Sequence, residues 1–304
     1  IIVTINGQND DPQIGGTFVG ELTEDSTTIT ANVTSTDIDY DSTASYSIDP
    51  LSGLYGDMQM NDVSGIWTYT INDSLATVLN AWDVVTDNFT AIVTDENGGI
   101  STENIMVTVT GENDVPVFVD EFIRTGTEDD GIITTTIIIE DVDASSTASY
   151  TITNTQGSYG SINIDQNTGE WTYTMNSELV TKFNIQHVRT DLFQVVVEDD
   201  QGATNTEYIS ITVTGVNDNP IVTGTLSGTG TEDIGTVTAT ASFTDIDIGS
   251  SGQFSIENTT GIYGGLSINE NSGLWIYTMD DDVVTKLDKD DIVTDNFTVI
   301  VTDE

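Results

Sequence analysis

Ile209-Ser210-Ile211-Thr212-Val213-Thr214 alternates apolar and hydroxyl side chains, and Gly215-Val216-Asn217-Asp218-Asn219-Pro220 follows it directly. Period-two alternation marks a strand with one face in a core and the other in water, and a Gly, Asn, Asp and Pro cluster ends it. The stretch therefore reads as the closing strand of one folded unit and the linker into the next. The same pair returns elsewhere in the chain. The linker occurs as Asn9-Asp10-Asp11-Pro12, Asn113-Asp114-Val115-Pro116 and Asn217-Asp218-Asn219-Pro220, a period of 104. Met106-Val107-Thr108-Val109-Thr110 precedes the second copy, and Ile1-Ile2-Val3-Thr4-Ile5-Asn6-Gly7 precedes the first.

The rest of the pattern keeps this period. Thr23-Glu24-Asp25, Thr127-Glu128-Asp129 and Thr231-Glu232-Asp233 recur, as do Asp37/Asp39, Asp141/Asp143 and Asp245/Asp247. So do Tyr55-Gly56, Tyr159-Gly160 and Tyr263-Gly264, and Trp67, Trp171 and Trp275. One unit is thus written about three times, in 9–112, 113–216 and 217–304, with 1–8 as the closing strand of an upstream unit. The period puts a fourth linker at position 321, so the closing strand of the third unit is expected beyond residue 304. About 100 residues is an ordinary size for a sandwich domain with its own core.

Five Lys and Arg stand against 51 Asp and Glu, a formal net charge of -46. Such a field repels nucleic acid and anionic membrane surfaces, and its natural partner is a cation. Hydrophobic residues still make up 37% and alternate regularly, which separates the chain from a disordered acidic tail. With no cysteine, neither disulfides nor thiolate ligands are possible. No stretch approaches the roughly 18 apolar residues of a membrane helix, so direct membrane insertion is not expected.

In the second copy strands are expected near 121–126, 132–139, 148–153, 161–165, 170–175, 192–198 and 207–214. Seven short strands in about 100 residues give an all-β class, antiparallel sandwiches of the immunoglobulin-like or cadherin-like kind arranged end to end. Gln166-Asn167-Thr168-Gly169 reads as a hairpin turn closed by a positive φ at glycine. Only Ser177 to Phe183 looks helical.

If the seven strands alternate in direction, the loops after the second and sixth lie where the chain comes in, and the loop after the first lies at the opposite end. Asp141, Asp143 and Asp199 then sit beside the linker Asn113-Asp114, while Glu24 hangs from the preceding unit towards it. One composite acidic site per junction follows. Two carboxylates about 4 Å apart repel by about 1 kcal/mol in bulk water and about 4 kcal/mol at an effective dielectric near 20, so the cluster needs a counter-ion. Oxygen-only donors in irregular geometry suit Ca²⁺ better than Mg²⁺, and zinc is disfavoured without cysteine and with one histidine. A single aspartate is ordinarily a turn residue; three such elements at one period around a linker point to the ion instead.

The linker NDxP, the TED element, the DxD after the second strand and Asp95-Glu96-Asn97-Gly98-Gly99 resemble the cadherin-like and VCBS-type tandem repeats of giant bacterial surface adhesins. These are often RTX proteins exported by type I secretion. By that resemblance Glu24, Asp114, Asp141, Asp143 and Asp199 bind Ca²⁺ at one junction and Glu128, Asp218, Asp245, Asp247 and Asp303 at the next, with oxygens from Asn113 and Asn217. The corresponding positions of the first copy are Asn9, Asp10, Asp37, Asp39 and Asp95. The implied function is a calcium-rigidified extender of a cell-surface adhesin in biofilm formation, located outside the cell, whose surface ligand is bound by domains beyond this segment. Gly7, Gly111 and Gly215 stand where the cadherin linker begins with Asp, and no D-R-E element precedes the sixth strand, which implies fewer ions per junction. Asp87, Asp191 and Asp295, opening the sixth strand, are the candidates to substitute.

The alternative is a set of ligand-binding modules that take carbohydrate or self-associate. Trp67, Trp171 and Trp275 each precede a tyrosine by two and read as core, leaving Trp82 as the candidate exposed aromatic. His187 is matched by Asp83 and Asp291 in the other copies, so a repeated nucleophile arrangement cannot be built and no enzyme is expected. Asp95 to Gly98 begins like an EF-hand loop but lacks its twelfth-position Glu. Threonine-rich strands are ordinary for a wet sheet face, and residues 9–112 hold no lysine for a Lys-Asn cross-link.

Overall fold

The computed structural model describes residues 1–76, 78–143 and 146–303, apart from the side chain of Asp73. Three separate cores follow the three sequence copies. Trp67, Tyr69, Phe89 and Ile105 centre the first, Trp171, Tyr173, Phe193 and Ile209 the second, and Ala241, Phe254, Leu266 and Trp275 the third. The alternation explains this. In Thr204–Thr214 the side chains of Ile209, Ile211 and Val213 are buried, and those between them face outward.

In the first repeat Val19–Thr23, Ile100–Thr110, Val84–Asp95 and Ala44–Asp49 form one sheet, and Gln13–Gly16, Thr28–Thr36, Ile66–Ile71 and Gly56–Met60 form the other. The second repeat matches the expected strands closely, with Ile132–Thr136, Ala148–Ile152, Gly160–Ile164, Glu170–Met175, Val188–Asp199 and Thr204–Thr214. Residues 1–8 form no strand.

The first strand differs from the expectation in two ways. It is divided between the sheets: Gln13–Gly16 pairs with Thr28–Thr36, whereas Val19–Thr23 pairs with Ile100–Thr110. The second pairing is parallel, as is Ile123–Thr127 with Thr204–Thr214, so the sheets are not purely antiparallel. The reason is topological. With seven strands the first and last run the same way, and lying side by side they can pair only in parallel. The change of sheet occurs at Gly16, whose φ of +112° and lack of a side chain let it pass against the Asn32 carbonyl.

Helical turns occur in every repeat, not only after Asn176. Among the described residues they are the α-helical turns Asp73–Ala76, Ser177–Val180 and Asp281–Val284, with a 3-10 turn at Glu128–Asp130. In each α-helical turn, a preceding Asn or Asp caps the first turn: Asn72, Asn176 and Asp280 accept from Ser74 N, Glu178 N and Asp282 N. The hairpin turn is as expected, with Gly169 at φ +70° and Gly65 and Gly273 at +67°.

The Tyr-Gly element and the sixth-strand aspartate belong together. Asp191 Oδ1 accepts from Ser158 N at 2.7 Å, and Oδ2 accepts from Tyr159 N at 3.0 Å and the Tyr173 hydroxyl at 2.8 Å. Asp87 and Asp295 hold Leu54, Tyr55 and Tyr69, and Ile262, Tyr263 and Tyr277, in the same way. Gly160 is required because a Cβ there would collide with the Tyr173 ring. These aspartates tie the loop before the fourth strand to the core, so their carboxylates are occupied by protein donors rather than free to replace a missing ligand.

Candidate metal centre

Each repeat opens with the same bracket around its linker. Asp143 Oδ2 accepts from Asp114 N at 2.9 Å, Asp143 N donates to Asp141 Oδ1 at 3.1 Å, and Asn113 Nδ2 donates to Asp199 Oδ2 at 2.8 Å. The third repeat repeats it, with Asp218 N to Asp247 at 2.9 Å, Asp247 N to Asp245 at 2.9 Å and Asn217 to Asp303 at 3.2 Å. The first does too, with Asp10 N to Asp39 at 2.9 Å, Asp39 N to Asp37 at 2.8 Å and Asn9 to Asp95 at 3.0 Å. Asp199 and Asp95 each spend Oδ1 on the backbone of their own turn, taking Gln201 N and Ala203 N, and Asn97 N and Gly99 N.

The preceding repeat completes two of these brackets. Glu24 follows the strand Val19–Thr23, and its Oε1 accepts from the linker's Glu112 N at 2.6 Å. Glu128 accepts from Val216 N at 2.8 Å and Phe183 N at 3.2 Å. Oxygens of Glu24, Asp114 and Asp143 thereby come within 4.8 Å of one another, as do those of Glu128, Asp218 and Asp247. Asp141, Asp199, Asp245 and Asp303 stand one hydrogen bond further out. Asn9, Asp10, Asp37, Asp39 and Asp95 form the same linker bracket within the first repeat.

These carboxylates are short of partners. Glu24 is 2% exposed and Asp143 4% exposed, and their Oε2 and Oδ1 are buried with no hydrogen bond; Asp247 Oδ1 is in the same state. Leaving a buried charged acceptor unmatched is costly, so some group is needed there. Burial pushes the Glu24 carboxyl up, the backbone N–H groups of Glu112 and Leu79 oppose it, and Asp114 and Asp143 push it further. Asp114, Asp143, Glu128 and Asp218 are likewise raised, by burial first and neighbouring carboxylates second. At Asp199 burial works upward too, but the Asn113 amide and its own turn's N–H groups outweigh it and hold the carboxyl low. An all-oxygen set with unpaired anionic oxygens fits a hard divalent cation of calcium's size and coordination number.

Two sets of residues were not singled out from sequence. Ser42, Ser146 and Ser250 donate to Asp37, Asp141 and Asp245 at 3.0, 2.8 and 2.6 Å and fix the outer carboxylate. Asp25 and Asp129 lie close enough to Asp114 and Asp218 to raise them. Both sets carry the 104-residue period that could have revealed them.

The raised acids set a pH dependence. A carboxyl whose folded pKa lies above its unfolded value is penalised when ionised in the folded state. Without divalent ion, stability should therefore rise as pH falls through the raised folded values of Glu24, Asp114 and Asp143. Asp199 has the opposite sign, and its contribution is lost only at lower pH, below the ordinary carboxylate value. In saturating calcium the first trend should reverse, because the ion needs the ionised ligands. Thermal unfolding across pH with calcium and with chelator checks both signs.

The fold and its acidic junctions define a class, tandem β-sandwich repeats with a cation-suited cluster where consecutive units meet. Residues 113–215 match the bacterial cadherin-like domain, so this segment is a cadherin-like repeat. The chain is similar to the crystal structure of human CDH23 EC21-23, at 18% identity over 95% of this chain and 99% of that one, with a TM-score of 0.51. It also matches mouse Cadherin-23 EC22-24, at 17% identity over 90% and 89% of the two chains, with a TM-score of 0.48. At this identity the likeness to the human fragment concerns the fold. No curated protein matches the chain. No helix among the described residues is long and apolar enough to cross a membrane.

Proposed function

We propose that the chain is a calcium-rigidified extender segment of a bacterial cell-surface adhesin, built of repeats 9–112, 113–216 and 217–304. Its role is mechanical and non-enzymatic: to hold a binding module away from the cell in adhesion and biofilm formation, outside the cell after type I secretion. The observation that carries this reading is the pair of buried, partnerless carboxylate oxygens Glu24 Oε2 and Asp143 Oδ1, which come from two successive repeats. One ion shared by Glu24, Asp114 and Asp143 ties both units to a single point. Asn113, Asp141 and Asp199 would complete its surroundings, and Glu128, Asn217, Asp218, Asp245, Asp247 and Asp303 would do the same at the second junction. The partner of each repeat is thus its neighbour in the chain.

Extracellular modules of this chemistry hold calcium with dissociation constants on the order of 10⁻⁴ to 10⁻³ M, so the joints would be loose in a low-calcium cytoplasm and stiff outside. Small-angle scattering tests this. In millimolar calcium the maximum dimension should lengthen and the profile should become rod-like, while chelator should return a broad distribution of bent forms. Identical profiles in the two conditions would sink the proposal.

Direct ligand binding is supported less. Trp67, Trp171 and Trp275 are buried, and Trp67 Nε1 and Trp275 Nε1 donate to Thr17 O and Thr225 O at 3.0 and 2.8 Å. Tyr40 and Trp82 are exposed in separate loops of the first repeat and Tyr208 on a strand of the second, so they do not form one stacking face.

A further inference from the structure

The second junction holds a direct contact between repeats that uses none of the acidic oxygens. Ile248 N donates to Lys182 O at 3.0 Å, and Asn184 Nδ2 donates to Ile248 O at 3.0 Å. Lys182 and Asn184 belong to the turn after the helix Ser177–Val180, and Ile248 directly follows Asp247 in the third repeat's loop between Thr236–Thr244 and Gln253–Ile256. Both the N–H and the C=O of Ile248 are thus engaged by the second repeat. Between the two loops lies a cavity of about 250 Å³ lined by Asn184, Ile185, Gln186, Asn217, Asp247 and Ser250.

The turn that makes this contact is held from behind. His187 Nδ1 accepts from Asn184 N at 3.1 Å, and the imidazole stacks on Phe183 with centroids 5.3 Å apart. Asn184 Oδ1 accepts from Gln186 N at 3.1 Å, which orients the amide so that Nδ2 faces the third repeat. Asp83 and Asp291 take the same backbone hydrogen bond in the other repeats, from Asn80 N at 3.1 Å and Asp288 N at 2.9 Å. The histidine therefore keeps the turn's shape without adding a negative charge beside Glu128, Asp218 and Asp247.

We infer that Lys182, Asn184 and Ile248 form a cation-independent latch that keeps the second junction aligned when calcium is absent. This goes beyond the calcium reading, since the latch needs no ion. The corresponding partner at the first junction, Ala144, lies outside the described residues. The chain has no cysteine, so spin labels attach only where cysteines are introduced. Thr151 and Ser255 are exposed, occupy equivalent strand positions one period apart, and report the second junction. In chelator the full chain labelled at this pair should give a narrow distance distribution. Asn184→Asp keeps the acceptor for Gln186 N but removes the donor to Ile248, and the third repeat already carries Asp288 at this position. Asn184→Ala removes the donor without adding charge. In chelator both should raise the off-latch population about fivefold, the ratio one neutral hydrogen bond carries. Unchanged distributions in both variants, or a native distribution as broad as theirs, would overturn the latch. If calcium then fails to narrow the variants' distributions, the proposed calcium function fails while the latch stands.

Discussion

Replacing Asp141 and Asp143 together by alanine should abolish calcium-dependent stiffening of the first junction and leave the second as it was. Asp143 is the central residue. Its Oδ1 is one of the buried oxygens without a partner, and its Oδ2 holds the linker through Asp114 N. The substitution thus removes a ligand and releases the chain segment that carries another. Partners one step removed from a metal ordinarily contribute about 10-fold to 100-fold in affinity, and a direct ligand should contribute at least as much. Calorimetric titration should show the sites of one junction lost while those of the other remain. Of the single variants, Asp143→Ala should be the more damaging, because Asp141 spends its oxygens on Asp143 N and Ser146 Oγ. Both acids lie in the loop before Ala148–Ile152, outside the apolar cluster around Trp171, so the repeat's own unfolding transition should persist. Loss of that transition would assign these acids to the fold instead.

Asp191→Ala should have the opposite character, unfolding the middle repeat without a specific effect on calcium. Removing its carboxylate strands Ser158 N, Tyr159 N and the Tyr173 hydroxyl, the last of these buried. Three donors losing an anionic acceptor correspond to a loss on the order of 3 to 5 kcal/mol. That is a large share of the roughly 5 to 15 kcal/mol that holds a domain of this size folded. Denaturant unfolding monitored through Trp171 should show the middle transition moving to lower denaturant. Because both oxygens of Asp191 serve protein donors, calcium should not rescue the variant; rescue would return this residue to the list of ligands.

The contrast between these aspartates shows where sequence reasoning reached and where it stopped. Strands in the second repeat were legible to within a few residues because Ile209, Ile211 and Val213 must alternate with hydroxyl residues to give one dry and one wet face. The junction acids were legible because alternation of strand direction decides which loops share an end, and Glu24 meets Asp114 and Asp143 as that argument requires. The sheet change at Gly16 was not, since it depends on how closely the chain passes the Asn32 carbonyl, a property of two segments at once. Asp191 was equally opaque. Its composition and period match those of Asp199, and only the position of Tyr173 behind it shows that one bonds the core and the other the linker. Asp25 and Asp129 share a recurring triplet with Glu24 and Glu128, and the triplet alone does not show that they lie beside Asp114 and Asp218.

The parallel pairing of the first and last strands has a bearing on load. Val19–Thr23 lies beside Ile100–Thr110 in register from Val19 opposite Met106 to Thr23 opposite Thr110. When tension is applied along the array, it enters a repeat near one of these strands and leaves near the other, pulling them past each other lengthwise. Their cross-strand bonds then bear the force together in shear instead of parting one after another as in a peeled hairpin. A tether under flow gains resistance to rupture from that geometry alone.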